Sequence, residues 1–104
     1  MHEVRKLGVT RGDPYQELED MLATMAKMIA DNPDEVVVMP AVNRQGGFVA
    51  FEVICHEDDA GTLIGSKGKH ADAMRTLLMA AGAVRKIRIN VQIMSRDYDR
   101  IPPR

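Results

Sequence analysis

Between Thr62 and Leu78 the chain reads TLIGSKGKHADAMRTLL. Gly65 and Gly68 bracket Ser66 and Lys67, and Lys69 follows at once. A glycine inside a helix costs about 1 kcal/mol relative to alanine. Two of them between helix-like stretches therefore mark a deliberate break. Without a Cβ, the backbone there can approach another backbone closely. Loop amides next to the start of a helix carry partial positive charge and suit an anion. Lys67 and Lys69 add full charges beside them. This chemistry fits the backbone of a sugar-phosphate chain.

Other reactive residues carry less. His56, Glu57, Asp58, Asp59 and His70 invite a metal site, but acids in that run suit the first turn of a helix. His70 then simply flanks the glycine pair, so no metal ligands are assigned. Cys55 falls on the apolar face of a strand and reads as a small core residue, not a nucleophile. Neither G-x-x-x-x-G-K-[ST] nor G-x-G-x-x-G occurs, so no nucleotide motif is present. The expectation is a protein that is no enzyme, with no catalytic residues and no cofactor. Arg11-Gly12-Asp13 resembles a cell-adhesion tripeptide, yet its local meaning is better. Asp13 suits a helix N-cap, Pro14 the first helical position and Gln16 the third, as in a capping box.

The elements that must hold the glycine pair follow from periodicity. A helix is expected from Pro14 to about Ala30, with Leu18, Met21, Leu22, Met25, Ala26 and Ile29 on one stripe. Its three methionines on or near that stripe read as core filler. Pro33 ends it by disfavouring a helical residue before it. VVVMPAV (36–42) is a strand in which Pro40 marks an edge or a bulge. NRQGG (43–47) is a turn, and FVAFEVIC (48–55) a second strand. Val49, Phe51, Val53 and Cys55 share one face of it. A short helix precedes Gly65. A longer one runs from about Lys69 to Ala81, with Ala71, Met74, Leu77, Leu78 and Ala81 on its stripe and Gly82 as C-cap. KIRINVQIM (86–94) alternates, with Ile87, Ile89, Val91 and Ile93 on the buried face. The order is helix, strand, strand, helix, helix, strand. The class is α+β, with helices packed on one face of a three-stranded sheet. Residues 14–94 form the domain, 1–13 a flexible N-terminal extension and 95–104 a polar C-terminal tail.

Composition bounds the rest. With 104 residues, 45% of them hydrophobic, the chain holds one globular domain with a modest core. It has no Trp, two Phe and two Tyr, so the core is aliphatic and Met-rich. No apolar run approaches the roughly 18 residues of a membrane span, and no signal peptide is visible. The single cysteine fits a reducing, cytoplasmic setting. Net charge is −1, but its distribution is uneven. Seven acids face Lys27 alone from Asp13 to Glu35, whereas six bases face Asp72 alone from Gly65 to Arg88.

On Leu63-Ile64-Gly65-Ser66-Lys67-Gly68 and the helix-like run after it, the chain resembles a type II KH domain. The order of elements matches that arrangement too. It is most similar to the small bacterial single-KH RNA-binding proteins, over about residues 15 to 94. The resemblance implies that Gly65, Ser66, Lys67 and Gly68 clamp the backbone of about four single-stranded nucleotides. Ile64 packs beneath the loop and lines a groove. Lys69, Arg75 and Arg88 become phosphate contacts. Bases would lie in an aliphatic groove between helices and sheet, which suits a chain with 4% aromatics. The implied partner is single-stranded RNA, with single-stranded DNA not separated from it, in post-transcriptional regulation or RNA chaperoning. A homodimer, or pairing with a second RNA-binding protein, is compatible. The rival reading is a degenerate KH domain that serves protein contacts, and the intact glycine pair speaks against it.

Overall fold

The computed structural model describes residues 12–96. Helix α1 spans Pro14–Ile29. The Asp13 carboxylate accepts from the Tyr15 amide at 3.0 Å, which makes it the N-cap. The reciprocal half of a capping box is not made. Gln16 Nε2 donates instead to Asp20 Oδ1 one turn on, at 3.0 Å. Tyr15, Leu18, Leu22 and Ala26 are buried, while Met21 and Met25 pack partly against the core. Met28 is 81% exposed, so only two of the three methionines fill the core. A 3-10 turn, Pro33–Glu35, follows the helix.

Strand β1 (Val37–Asn43) runs antiparallel to β2 (Phe48–Cys55), with Val37 opposite Ile54 and Asn43 opposite Phe48. Pro40 sits opposite Phe51 in an unbroken register on an outer strand, so it marks an edge and not a bulge. Strand β3 (Arg88–Ser95) lies parallel on the other side of β2. The sheet order is β1-β2-β3. Val49, Phe51, Val53 and Cys55 are all buried, as alternation required. On β3, Val91 is buried, whereas Ile89 and Ile93 are half-buried. The strand starts two residues later than its pattern, because Lys86 takes a left-handed φ of 60° and turns the chain.

Two helices separate β2 from β3: α2 (Ala60–Ile64) and α3 (Lys69–Val84). The buried face of α3 is Ala71, Met74, Leu78 and Gly82; Leu77 is 53% exposed and leaves that stripe. Gly82 is not the cap. The helix continues to Val84, and a Cβ on Gly82 would lie 2.6 Å from the Ile87 carbonyl oxygen and 2.7 Å from Ile89 Cδ1. The missing side chain lets helix and strand touch. Arg85 Nη2 reaches Glu17 Oε1 at 3.3 Å and ties the end of α3 to the first turn of α1. Arg44, in the β1–β2 turn, pairs with Asp13 at 2.6 Å and lies 4.8 Å from the Tyr15 ring centroid. The architecture is α+β in the expected order, with helices over one sheet face. Residues 1–11 and 97–104, most of the expected extension and tail, lie outside the described residues. At the C-terminal end, Ser95 still belongs to β3 and Arg96 pairs with Glu35.

Candidate nucleic-acid interface

The loop between α2 and α3 begins from a buried anchor. Asp59 closes a 3-10 turn, Glu57–Asp59, and is fully buried. Its carboxylate accepts from the Asp31 amide (3.1 Å), the Asn32 amide (2.9 Å) and Asn32 Nδ2 (3.2 Å). Burial pushes this carboxyl up, but the donors from Asn32 and Asp31 outweigh it and hold it below the ordinary range. The start of α2 is thereby fixed to the segment after α1.

At the end of α2 the chain turns on Gly65, with φ 80° and ψ 165°, a region almost reserved for glycine. A Cβ there would stand 2.7 Å from His70 Cγ and 2.8 Å from the His70 amide nitrogen. Gly68 follows with φ 75°, and Lys67 between them also takes a left-handed φ of 57°. The Gly65 amide donates to the Gly61 carbonyl (2.8 Å), the Gly68 amide to the Gly65 carbonyl (2.9 Å) and the Lys69 amide to that of Ser66. The amides of Ser66 and Lys67 are left without an acceptor among the described residues. Both residues are exposed, as is Lys69. His70 Nδ1 donates to the Thr62 carbonyl at 2.7 Å and braces the loop from α3. Leu63 is buried, while Ile64 is 41% exposed beside the turn.

Beyond the loop, β3 packs along α3. The Arg88 amide donates to the Gly47 carbonyl at 2.8 Å, towards the β2 side. Main-chain groups alternate along a strand, so Ile89, Val91 and Ile93 turn theirs to the free edge. One of these has a partner from α3: Arg75 Nε donates to the Val91 carbonyl at 3.3 Å. Arg75 Nη1 also pairs with Asp72 Oδ1 at 3.1 Å. Arg75, Met79 and Ala83 follow at intervals of four along one line of α3. At the far end of α3 lies a cavity of about 430 Å³ lined by Gly46, Gly47, Met79, Ala83, Lys86, Ile87, Arg88 and Ile89.

The structure thus gathers Ile64, Gly65, Ser66, Lys67, Gly68 and Lys69 in one turn, with Arg75 less than two helical turns up α3. Arg88 is not among them. It lies beside the last turns of α3, lining one cavity with Met79 and Ala83, with its guanidinium 5.8 Å from the Phe48 ring centroid. Sequence reasoning passed over two residues near these elements. Asp59 looked like one more helix-start acid, and Lys86 like the start of a strand.

Among the described residues, no group of three or more His, Cys, Asp or Glu could hold a metal ion. No helix there is long and apolar enough to cross a membrane. Cys55 is fully buried; burial, with Asp59 nearby, pushes its thiol up and away from the thiolate form.

The family model described as KhpA/KhpB, KH domain matches residues 19–93. The "RNA-binding protein KhpA" of Streptomyces coelicolor is 40% identical over 74 residues, covering 71% of this chain and 90% of that protein. The protein of the same description from Mycobacterium bovis is 42% identical over 72 residues, covering 69% and 86%. That from Bacillus subtilis is 31% identical over 78 residues, covering 75% and 94%. Among solved structures, Era in complex with MgGDPNP and nucleotides 1506-1542 of 16S ribosomal RNA aligns with a TM-score of 0.54. That match covers 82% of this chain and 32% of Era at 16% identity, a likeness of fold alone. The helix-strand-strand-helix-helix-strand order, the Ile-Gly-x-x-Gly turn and the matched family model converge: the chain belongs to the KhpA/KhpB family of KH-domain proteins.

Proposed function

We propose that this protein binds single-stranded RNA by clamping its backbone on the Gly65–Gly68 turn, as a post-transcriptional regulator or RNA chaperone. The observation that carries this is a pair of exposed residues, Ser66 and Lys67, whose amides have no acceptor among the described residues, set between two glycines of positive φ and next to Lys69. A phosphate on that turn receives amide hydrogen bonds and the charges of Lys67 and Lys69 together. The bases then lie between the helices and the sheet. The curated relatives are themselves described as RNA-binding proteins.

The test is Ser66→Asp with Lys67→Asp. Both side chains are exposed, so folding is expected to survive, while two carboxylates occupy the phosphate position. We expect a wild-type melting curve and no binding to an unstructured oligoribonucleotide. For about three neutralised phosphates the wild-type slope of log affinity against log salt is roughly −2. Binding then weakens roughly 20-fold between about 50 and 200 mM salt. A folded double mutant that binds like wild type removes the clamp.

A second reading, a protein-contact module, has its own observation. Met25, Met28, Ile29, Ala73, Met74 and Leu77 line an apolar groove of about 280 Å³ between α1 and α3, beside His70. Met28 and Leu77 are well exposed in it. A second copy of the chain is the proposed occupant. Sedimentation of wild type against Leu77→Asp decides, since only a paired wild type loses mass on substitution.

A further inference from the structure

Near the end of α2 one carbonyl has an unusual partner. In an α-helix the carbonyl of each residue accepts from the amide four residues on. The Gly61 carbonyl follows this rule and accepts from the Gly65 amide at 2.8 Å. One residue later the Thr62 carbonyl would accept from the Ser66 amide. Gly65, at φ 80° and ψ 165°, turns the chain out of the helix at that point. The Ser66 amide is left with no acceptor among the described residues. The Thr62 carbonyl is taken by a side chain in its stead, His70 Nδ1 at 2.7 Å. A carbonyl oxygen only accepts, so Nδ1 carries the proton.

The replacement is needed because glycine alone does not hold this turn. Helical φ and ψ are as open to Gly65 as its present angles. With those angles α2 would gain its next bond, and the Ser66 amide would be lost to Thr62. Two features of His70 oppose that. Its ring N–H already occupies the carbonyl. Its ring also fills the space beside Gly65, where a Cβ would stand 2.7 Å from His70 Cγ. His70 is the second residue of α3, so the bond ties one side of the glycine pair to the other across eight residues. The residue is exposed and no part of the buried core, so what it contributes here is this bond.

We infer that His70 is a positioning residue for the phosphate turn: its ring N–H replaces the Ser66 amide on the Thr62 carbonyl and keeps that amide free for a nucleic-acid phosphate. The inference rests on the clamp proposed above and names the side chain that holds it open. In this role His70 touches no phosphate.

The experiment compares wild type, His70→Asn and His70→Ala. The Nδ2 of asparagine hangs from Cγ as the imidazole Nδ1 does, so Asn keeps the bond and Ala removes it. Amide hydrogen exchange is followed by NMR without RNA, and a uridylate octamer is titrated at three salt concentrations. In His70→Ala the Thr62 carbonyl recaptures the Ser66 amide, which then exchanges more slowly than in wild type. Octamer affinity falls about 2- to 12-fold, because one hydrogen bond must break before the phosphate binds. The salt slope stays the same, since no charge has left the site. His70→Asn stays within about 2-fold of wild type in affinity and exchanges at Ser66 as wild type does. A Ser66 amide that exchanges at the same rate or faster in His70→Ala overturns the inference, as plain loosening of the turn would produce. So does an Ala variant that binds like wild type, or one whose salt slope flattens by about 0.7, which would make His70 itself a phosphate contact. Should His70→Ala fail to fold, wild type decides alone. Nitrogen-15 spectra at about pH 8, where an imidazole is neutral, are expected to show the His70 ring proton on Nδ1, and a proton on Nε2 overturns the inference. Each of these contrary results leaves the clamp standing, whereas a wild type that binds no octamer removes the clamp and this inference together.

Discussion

Three glycines within eight residues are expected to respond to alanine in three different ways. Gly65→Ala is the severe case. Its φ of 80° with ψ 165° lies in the region essentially confined to glycine, which costs about 1–3 kcal/mol for any other residue. The new Cβ also meets the His70 ring at 2.7 Å and the His70 amide nitrogen at 2.8 Å. The ring can swing aside, but the backbone atom cannot move without shifting the start of α3. We therefore expect a loss of at least about 2 kcal/mol. Gly68 has φ 75° and ψ 16°, ordinary left-handed helix, with nothing within 4 Å of a Cβ. Gly68→Ala should cost only the handedness penalty, about 1–2 kcal/mol. Gly61 has neither strain nor neighbours, and Gly61→Ala should stabilise by up to about 1 kcal/mol through helix propensity. In a domain of this size 1 kcal/mol moves Tm by about 4–8 °C. Urea melts of the three variants, followed by circular dichroism without RNA, give the order directly. A Gly68→Ala variant less stable than Gly65→Ala, or a destabilised Gly61→Ala, would refute the loop geometry.

Adjacent leucines on α3 should separate sharply. Leu78 is fully buried and Leu77 is 53% exposed. Leu78→Ala should cost about 2–5 kcal/mol and Leu77→Ala within about 0.5 kcal/mol; similar losses would mean that the helix is rotated. Asp59→Asn tests the buried anchor. The Asp59 carboxyl is held below its ordinary range, so its contribution is present above the unfolded pKa and is lost as pH falls through the lower, folded one. The variant should be less stable than wild type at neutral pH, and the gap should close as pH falls through and below the carboxylate range. A gap that stays constant into acid would mean that the ionised carboxylate is not what holds Asp31 and Asn32.

Much of this architecture was readable because period-two and helical patterns report which face is buried. In β2 the alternation from Phe48 to Cys55 translated directly into packing. The Gly65–Gly68 turn was equally legible, since two glycines in a helical run need a local reason. What stayed hidden depends on partners far along the chain. Asp59 is one of three consecutive acids, and what singles it out are amides 27 and 28 residues earlier. Gly82 looked like a cap because glycine often ends helices. Its actual role appears only when Ile87 and Ile89 return across α3. The distal place of Arg88 was hidden for the same reason: closeness in sequence to a basic run says nothing about which end of a helix a strand enters.

The parallel pairing of β2 with β3 also bears on how the protein is made. Phe48 is opposite Arg88, and every later pair keeps the same separation of 40 residues. The β1–β2 hairpin needs only local contacts and can form as soon as it is synthesised. The central strand must then wait for both helices and β3 before its second edge is covered. At about 5–20 residues per second that wait lasts roughly 2–8 s on the ribosome. Throughout it, Val49, Phe51, Val53 and Cys55 present an apolar stripe beside an unpaired backbone edge, a template for mispairing with a neighbouring nascent chain. Slow codons placed between those for Cys55 and Arg88 should therefore lower the soluble yield without changing a single contact in the folded domain.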